Sequence, residues 1–115
     1  MHEVSLAGGI LKLVEDAARR ERFRRVTRLT LEVGRLSGVE VESLRFALDA
    51  MAPGTLLEGA AVVIEEPPGT ALCMDCSELT QITERGEACR QCGGLRLQPT
   101  GGTALRVLDL VVEDD

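Results

Sequence analysis

From residue 4 to about residue 22 the apolar residues Leu6, Ile10, Leu13, Val14 and Ala17 recur at helical spacing. Lys12, Glu15, Asp16, Arg19 and Arg20 fall mostly on other sides, which predicts an amphipathic helix. Gly8 and Gly9 weaken its first turns, so that a neighbour approaches closely there or the start is loosened. Alternation follows from residue 26 to 33. Thr27, Leu29, Leu31 and Val33 point one way and Arg28, Thr30 and Glu32 the other, a strand with one wet face. After Gly34, Ser37 to Glu40 has the form of a capping box, opening a second helix through Val41, Leu44, Leu48 and Met51 that Pro53 and Gly54 close. The nearly continuous apolar run from residue 60 to 64 suits a buried strand, so residues 26 to 66 read as a strand, helix, strand unit. A last apolar strand runs from residue 105 to 112 and is expected to rejoin the first sheet, because Val107, Leu108, Leu110 and Val111 need a core to enter.

Pro67, Pro68 and Gly69 before the cysteine-bearing stretch, and Pro99, Thr100, Gly101 and Gly102 after it, have the composition of hinges. Between them lie all four cysteines of the chain, as two Cys-x-x-Cys pairs: Cys73 with Cys76, and Cys89 with Cys92. Such a step lets two thiolates reach one ion from a tight turn, and a second pair completes a tetrahedral set suited to zinc. Gly86, Gly93 and Gly94 supply turns around the second pair. Disulfides are disfavoured by the repeated local spacing and by the want of a secretory signal. A rubredoxin-like iron site is disfavoured because the chain has no Trp or Tyr to shield it. Four thiolates close the coordination sphere, which makes the ion structural. The predicted architecture is α+β: a small α/β domain of two helices and a three-stranded sheet, residues 1–67 plus 103–115, carrying an inserted zinc ribbon at residues 68–102.

Charge narrows the functions open to such a chain. At 115 residues and 44% hydrophobic content it can bury one modest core beside a metal-stapled module. A net charge of -6 and a pI near 4.8 oppose nucleic-acid binding, which draws on excess Lys and Arg. Within the ribbon, Asp75, Glu78, Glu84 and Glu87 outnumber Arg85 and Arg90, so it is a poor phosphate binder. The basic run from Arg19 to Arg25 reads as a solvated helix end favoured by the helix dipole. No membrane span is expected and the start MHEVSLAGG has no signal-peptide form, so the expected location is cytoplasmic.

The usual catalytic signatures are missing: no phosphate loop, no G-x-S-x-G, no H-E-x-x-H and no second histidine. The chain is therefore not expected to be an enzyme. Its one histidine stands at position 2, before Glu3. There the Met1 amine, the His2 backbone nitrogen and the nearer ring nitrogen can close two fused chelate rings on one ion. Once the amide is deprotonated, that planar nitrogen set favours Ni(II) or Cu(II) over Mg or Ca. Glu3 can add a carboxylate or its own backbone nitrogen. From residue chemistry alone, His2 as a surface residue without a metal is the favoured reading.

MHEVS at the start, LEVGRLSGVEVESL in the middle and the two Cys-x-x-Cys pairs occur together and in order. In that combination the chain resembles the HypA/HybF family of hydrogenase nickel-incorporation proteins, over essentially its whole length. The resemblance implies His2 as principal nickel ligand, Glu3 as a supporting or partner-binding residue, and Cys73, Cys76, Cys89 and Cys92 as zinc ligands. Glu40 falls where relatives carry an acid near the nickel terminus, although its place in the capping box is a sufficient explanation and the favoured one. Some relatives have histidines beside the second cysteine pair; Gly93 and Gly94 stand there here. The implied function is that of a nickel metallochaperone with Ni(II) as transferred cargo and Zn(II) as structural ion. Its implied partners are a HypB-type GTPase and the [NiFe]-hydrogenase large-subunit precursor, with no nucleic acid and no membrane. The chain itself is expected to be a monomer, with a weak dimer as the alternative. The competing reading is a zinc-ribbon adaptor for protein or nucleic acid, in which His2 has no role.

Overall fold

The computed structural model describes residues 2 to 114. Eight elements follow one another: α1 (His2–Glu21), β1 (Phe23–Val33), α2 (Val41–Met51), β2 (Ala61–Glu65), β3 (Gly69–Cys73), β4 (Leu79–Ile82), β5 (Leu97–Gly101) and β6 (Leu105–Asp114). They form two three-stranded sheets, ordered β2-β1-β6 and β4-β3-β5. The fold is α+β, with two helices and the last strand returned to the first sheet as its pattern predicts.

The chain divides into two compact units. One holds α1, most of β1, Val39–Ile64 and most of β6; the other holds Glu32–Gly38 and Glu65–Arg106. In the first unit α1 packs on α2. The buried side of α1 is Ala7, Ile10, Val14, Ala17 and Ala18. The expected stripe is therefore turned: Ile10, Val14 and Ala17 enter the core, but Leu13 stays 51% exposed and small alanines take its place. Alanine at such positions lets two helices approach closely, which is why the apolar stripe alone misplaced the face. Gly8 and Gly9 have no neighbour within 4 Å of where a Cβ would stand, so close approach does not explain them. Arg22, in the left-handed region at φ 59, ends the helix while its N–H bonds Ala18 O at 2.8 Å.

β1 is the central strand and carries Leu29, Leu31 and Val33 inward as expected. The alternation fails at both ends of its middle: Val26 is buried, Thr27 is exposed, and Thr30 is 6% exposed on the side expected to be wet. Covered on both faces at that point, the strand cannot show a clean period of two. Arg24 meets the Asp114 carbonyl and Thr27 the Val111 carbonyl, so β6 runs antiparallel to β1. The run at residues 60 to 64, expected to be buried, is the edge strand β2, whose residues are exposed or half-buried. Likewise Leu108 and Val111 on β6 stay exposed, because an edge strand has a neighbour on one side only.

The expected capping box is also corrected. Glu40, not Ser37, is the N-cap of α2, and its own carboxylate accepts from the Glu42 N–H at 3.0 Å. Ser37 lies in the segment that joins the second unit, where Arg35 N–H bonds Pro67 O and Leu36 N–H bonds Gly102 O. Leu36 enters the small core of that unit with Ala71 and Ile82, and Leu97 packs against them. The stretches expected to be hinges lie partly in strands: Pro67, Pro68 and Gly102 lie outside them, while Gly69 is in β3 and Pro99 to Gly101 are in β5, with Ala71 opposite Pro99 and Thr70 opposite Gly101. A proline is tolerated there because β5 is an edge, where its missing N–H breaks no ladder.

Two glycines mark the closest approach in this unit. A Cβ on Gly34 would collide with the Gly102 backbone, and one on Gly102, at φ +74, would lie 2.5 Å from Pro68 O. Gly34→Ala is expected to lower stability by about 3 kcal/mol, since backbone must move to admit a methyl. Gly9→Ala, in an open helix interior, is expected to raise it by about 0.5–1 kcal/mol. Urea midpoints of both variants check the pair, and equal effects would overturn the assignment of Gly34 as a close contact.

Candidate metal centre

Both cysteine pairs sit in the same backbone turn. Cys73 N–H bonds Glu78 O at 2.9 Å and Ser77 N–H bonds Cys73 O at 2.8 Å. Sixteen residues later, Cys89 N–H bonds Gly94 O at 2.7 Å and Gly93 N–H bonds Cys89 O at 2.8 Å. The residue after each second cysteine is left-handed, Ser77 at φ 64 and Gly93 at φ 77. In the second knuckle glycine meets that need without strain; in the first a serine does, which the glycine count could not disclose. The knuckles also touch directly, since a Cβ on Gly94 would collide with the Asp75 carboxylate, itself paired with Arg96 at 2.8 Å.

The two turns bring all four expected cysteines together, their sulfurs within 4.8 Å of one another. Cys73 Sγ lies 3.6 Å from Cys92 Sγ, and Cys76 Sγ 3.8 Å from Cys89 Sγ. A tetrahedron with zinc–sulfur arms of about 2.3 Å has edges of about 3.8 Å, so the donor set fits a tetrahedral ion of that size. Backbone N–H groups support the sulfurs: Gln91 donates to Cys89 and Gly94 to Cys92, each at 3.3 Å.

Without a cation such a cluster holds its protons unequally. The Glu78 N–H favours the Cys76 thiolate, but burial and hydrogen bonds with the Cys92, Cys73 and Cys89 thiols outweigh it, and Cys76 is pushed up to about 12. Cys89, favoured first by the Cys92 N–H and held up in part by burial, is drawn down to about 7. Four thiolates in one place repel one another, and a divalent cation removes that penalty. Glu87, to which no role was assigned from the sequence, ties down the loop before Cys89. Its carboxylate accepts from Thr83 N–H at 2.5 Å, the Thr83 hydroxyl at 2.6 Å and Glu84 N–H at 2.7 Å, which hold it below the usual carboxylate range. No short sequence motif marks that contact.

The other expected site lies in the first unit. His2 opens α1 and is exposed, its Nδ1 3.9 Å from Glu3 Oε2. Glu3 is not free: its carboxylate accepts the Glu40 N–H at 3.1 Å, which with its own N–H holds it below the usual range. Glu40 thus stands beside Glu3 through its backbone, while its side chain caps α2. The Met1 amine, the third expected donor, lies outside the described residues.

Comparison with known proteins places this geometry. Residues 1–112 match the family profile described as hydrogenase/urease nickel incorporation, metallochaperone, hypA. The hydrogenase maturation factor HypA of Cupriavidus necator is 65% identical over 114 residues, covering 99% of this chain and 96% of that protein. The factor of the same name from Polaromonas naphthalenivorans is 64% identical over 115 residues, all of both chains. Among solved structures, the Ni metallochaperone HypA of Helicobacter pylori superposes with a TM-score of 0.69 at 20% identity, covering 98% of each chain, a likeness of fold. No helix among the described residues is long and apolar enough to cross a membrane. With a family match over nearly its full length and relatives at this identity, the chain belongs to the HypA family of nickel-incorporation metallochaperones for hydrogenase maturation.

Proposed function

We propose that this chain holds Ni(II) at its N-terminus and assists its insertion into a [NiFe]-hydrogenase large-subunit precursor in the cytoplasm, catalysing nothing itself. One observation carries the reading: the only histidine of a chain in a nickel-incorporation family is exposed at the first turn of α1, with an anchored carboxylate 3.9 Å from its ring. Helix physics suits that position. The first four N–H groups of a helix have no acceptor within it, so deprotonating the His2 amide for a metal breaks no helical bond. The positive end of the helix dipole opposes a cation there, and the amide anion and Glu3 offset it. The balance gives a site that yields its ion to competing thiolates.

Zn(II) is the proposed ion of Cys73, Cys76, Cys89 and Cys92, held structurally because four thiolates leave no position for a substrate. On this reading residues 1–67 with 103–115 are the nickel domain and residues 68–102 the zinc ribbon. The chain has no nucleotide loop of its own, so a HypB-type GTPase is the proposed source of timing for nickel supply or release.

His2→Ala is expected to abolish specific nickel binding in calorimetry while zinc and helix content stay unchanged, and Glu3→Gln to weaken it less. A few residues added before Met1 should weaken nickel if the amine is a donor and spare it if Glu3 completes the site. If His2→Ala binds nickel as the parent does, the metallochaperone reading loses its central residue.

Elemental analysis is expected to find one zinc per chain, lost in Cys76→Ala together with the ribbon fold. Zinc uptake should release protons, because Cys76 is protonated at neutral pH in the metal-free cluster. Affinity therefore rises with pH and falls on acidification. A pH-independent zinc affinity, measured by chelator competition, would rule out thiolate ligation.

A further inference from the structure

Next to the metal terminus α1 and α2 leave an apolar groove of about 600 Å³, with Val4, Ala47 and Met51 in its lining. Phe46 also lines it and is 75% exposed, while Val4 is 44% exposed. That exposure is informative in a chain with no Trp or Tyr and only two Phe, the other of which, Phe23, is buried. A phenylalanine left in water beside a small-residue floor forgoes the burial that makes aromatics useful. Among the described residues that line the groove, the charged ones are Glu3 and Glu42, both acidic.

We infer that this groove docks an amphipathic helix of a protein partner, which sets aliphatic side chains beside Phe46 and Lys or Arg against Glu3 and Glu42. A trough between two helices, apolar at its floor and charged at its rim, is the form that receives the apolar face of a third helix. Charge selects among occupants. A second copy of this chain, meeting its own groove across a two-fold axis, would bring Glu3 and Glu42 toward their own counterparts in a protein of net charge -6. An anionic lipid surface meets the same repulsion. A helix with basic flanks meets none. The inference rests on the proposed metal role of His2 in one respect only: a basic group arriving at Glu3 engages the carboxylate that lies beside the His2 ring, so docking and loosening of the ion occur at one place.

The test uses the full chain and a labelled helical peptide of about four turns, with Leu at i, i+3, i+4 and i+7 and Lys on both flanks, beside a twin with Glu on the flanks. Fluorescence anisotropy is expected to show binding of the Lys peptide that weakens with salt, and none of the Glu twin. Phe46→Asp is expected to lose about tenfold or more in affinity while keeping the nickel and zinc content of the parent, since the side chain is exposed and no core depends on it. His2→Ala should still bind the peptide, so a His2→Ala chain that keeps both nickel and the peptide sinks only the metal reading. Equal binding of the two peptides, or parental affinity in Phe46→Asp, would overturn the groove. So would a parent dimer that Phe46→Asp turns into a monomer, which would make a second copy the occupant.

Discussion

Four sulfurs within 4.8 Å of one another set the terms for the second unit of this protein. Such a group is self-repelling once ionised, and a divalent cation removes that repulsion. The rest of that unit has little else to hold it: its core is Leu36, Ala71 and Ile82, with Leu97 against them. A cluster of that size buries too little apolar surface to offset the ordering of some fifty residues at roughly 1–2 kcal/mol each for the backbone alone. The duplicated knuckles concentrate the missing stabilisation in one ion, and the Asp75–Gly94 contact with the Arg96 pair keeps the two turns in register.

The two candidate sites contrast in the physics of exchange. The sulfur quartet is closed, partly buried and fed by backbone N–H groups, an arrangement suited to retention. The terminus is open on the solvent side, poor in fixed donors and placed where the helix dipole works against a cation. On the proposed reading, an ion there is held by donors that a competing ligand can replace one at a time. That division, on the proposed reading, lets one small chain keep one metal and hand over another.

Glu3 is the residue on which the local structure of the first unit converges. It neighbours the His2 ring, accepts the Glu40 N–H and lines the groove that exposes Phe46. The chain reaches Glu40 directly from Glu32–Gly38, a segment whose hydrogen bonds and buried Leu36 belong to the second unit.

Local chemistry was legible in the residues themselves. The Cys-x-x-Cys repeat, the helical stripe at Ile10, Val14 and Ala17, the inward series Leu29, Leu31 and Val33, and the placing of His2 before the first core residue all follow from spacing, which a chain carries with it. Other features depend on what lies opposite and have no local signal. Leu13 is exposed and Ala7 and Ala18 buried because α2 sets the distance of approach. The run at residues 60 to 64 is half-wet because it fell at the edge of a sheet, and Pro99 is a strand residue because β5 did too. Ser37 resembles a cap, yet Glu40 takes that place, since residues 32 to 38 are drawn away by Pro67, Gly102 and the Leu36 core. Periodicity and spacing are properties of neighbours in sequence; burial, edges and caps are settled by neighbours in space, and only the tertiary structure brings those together.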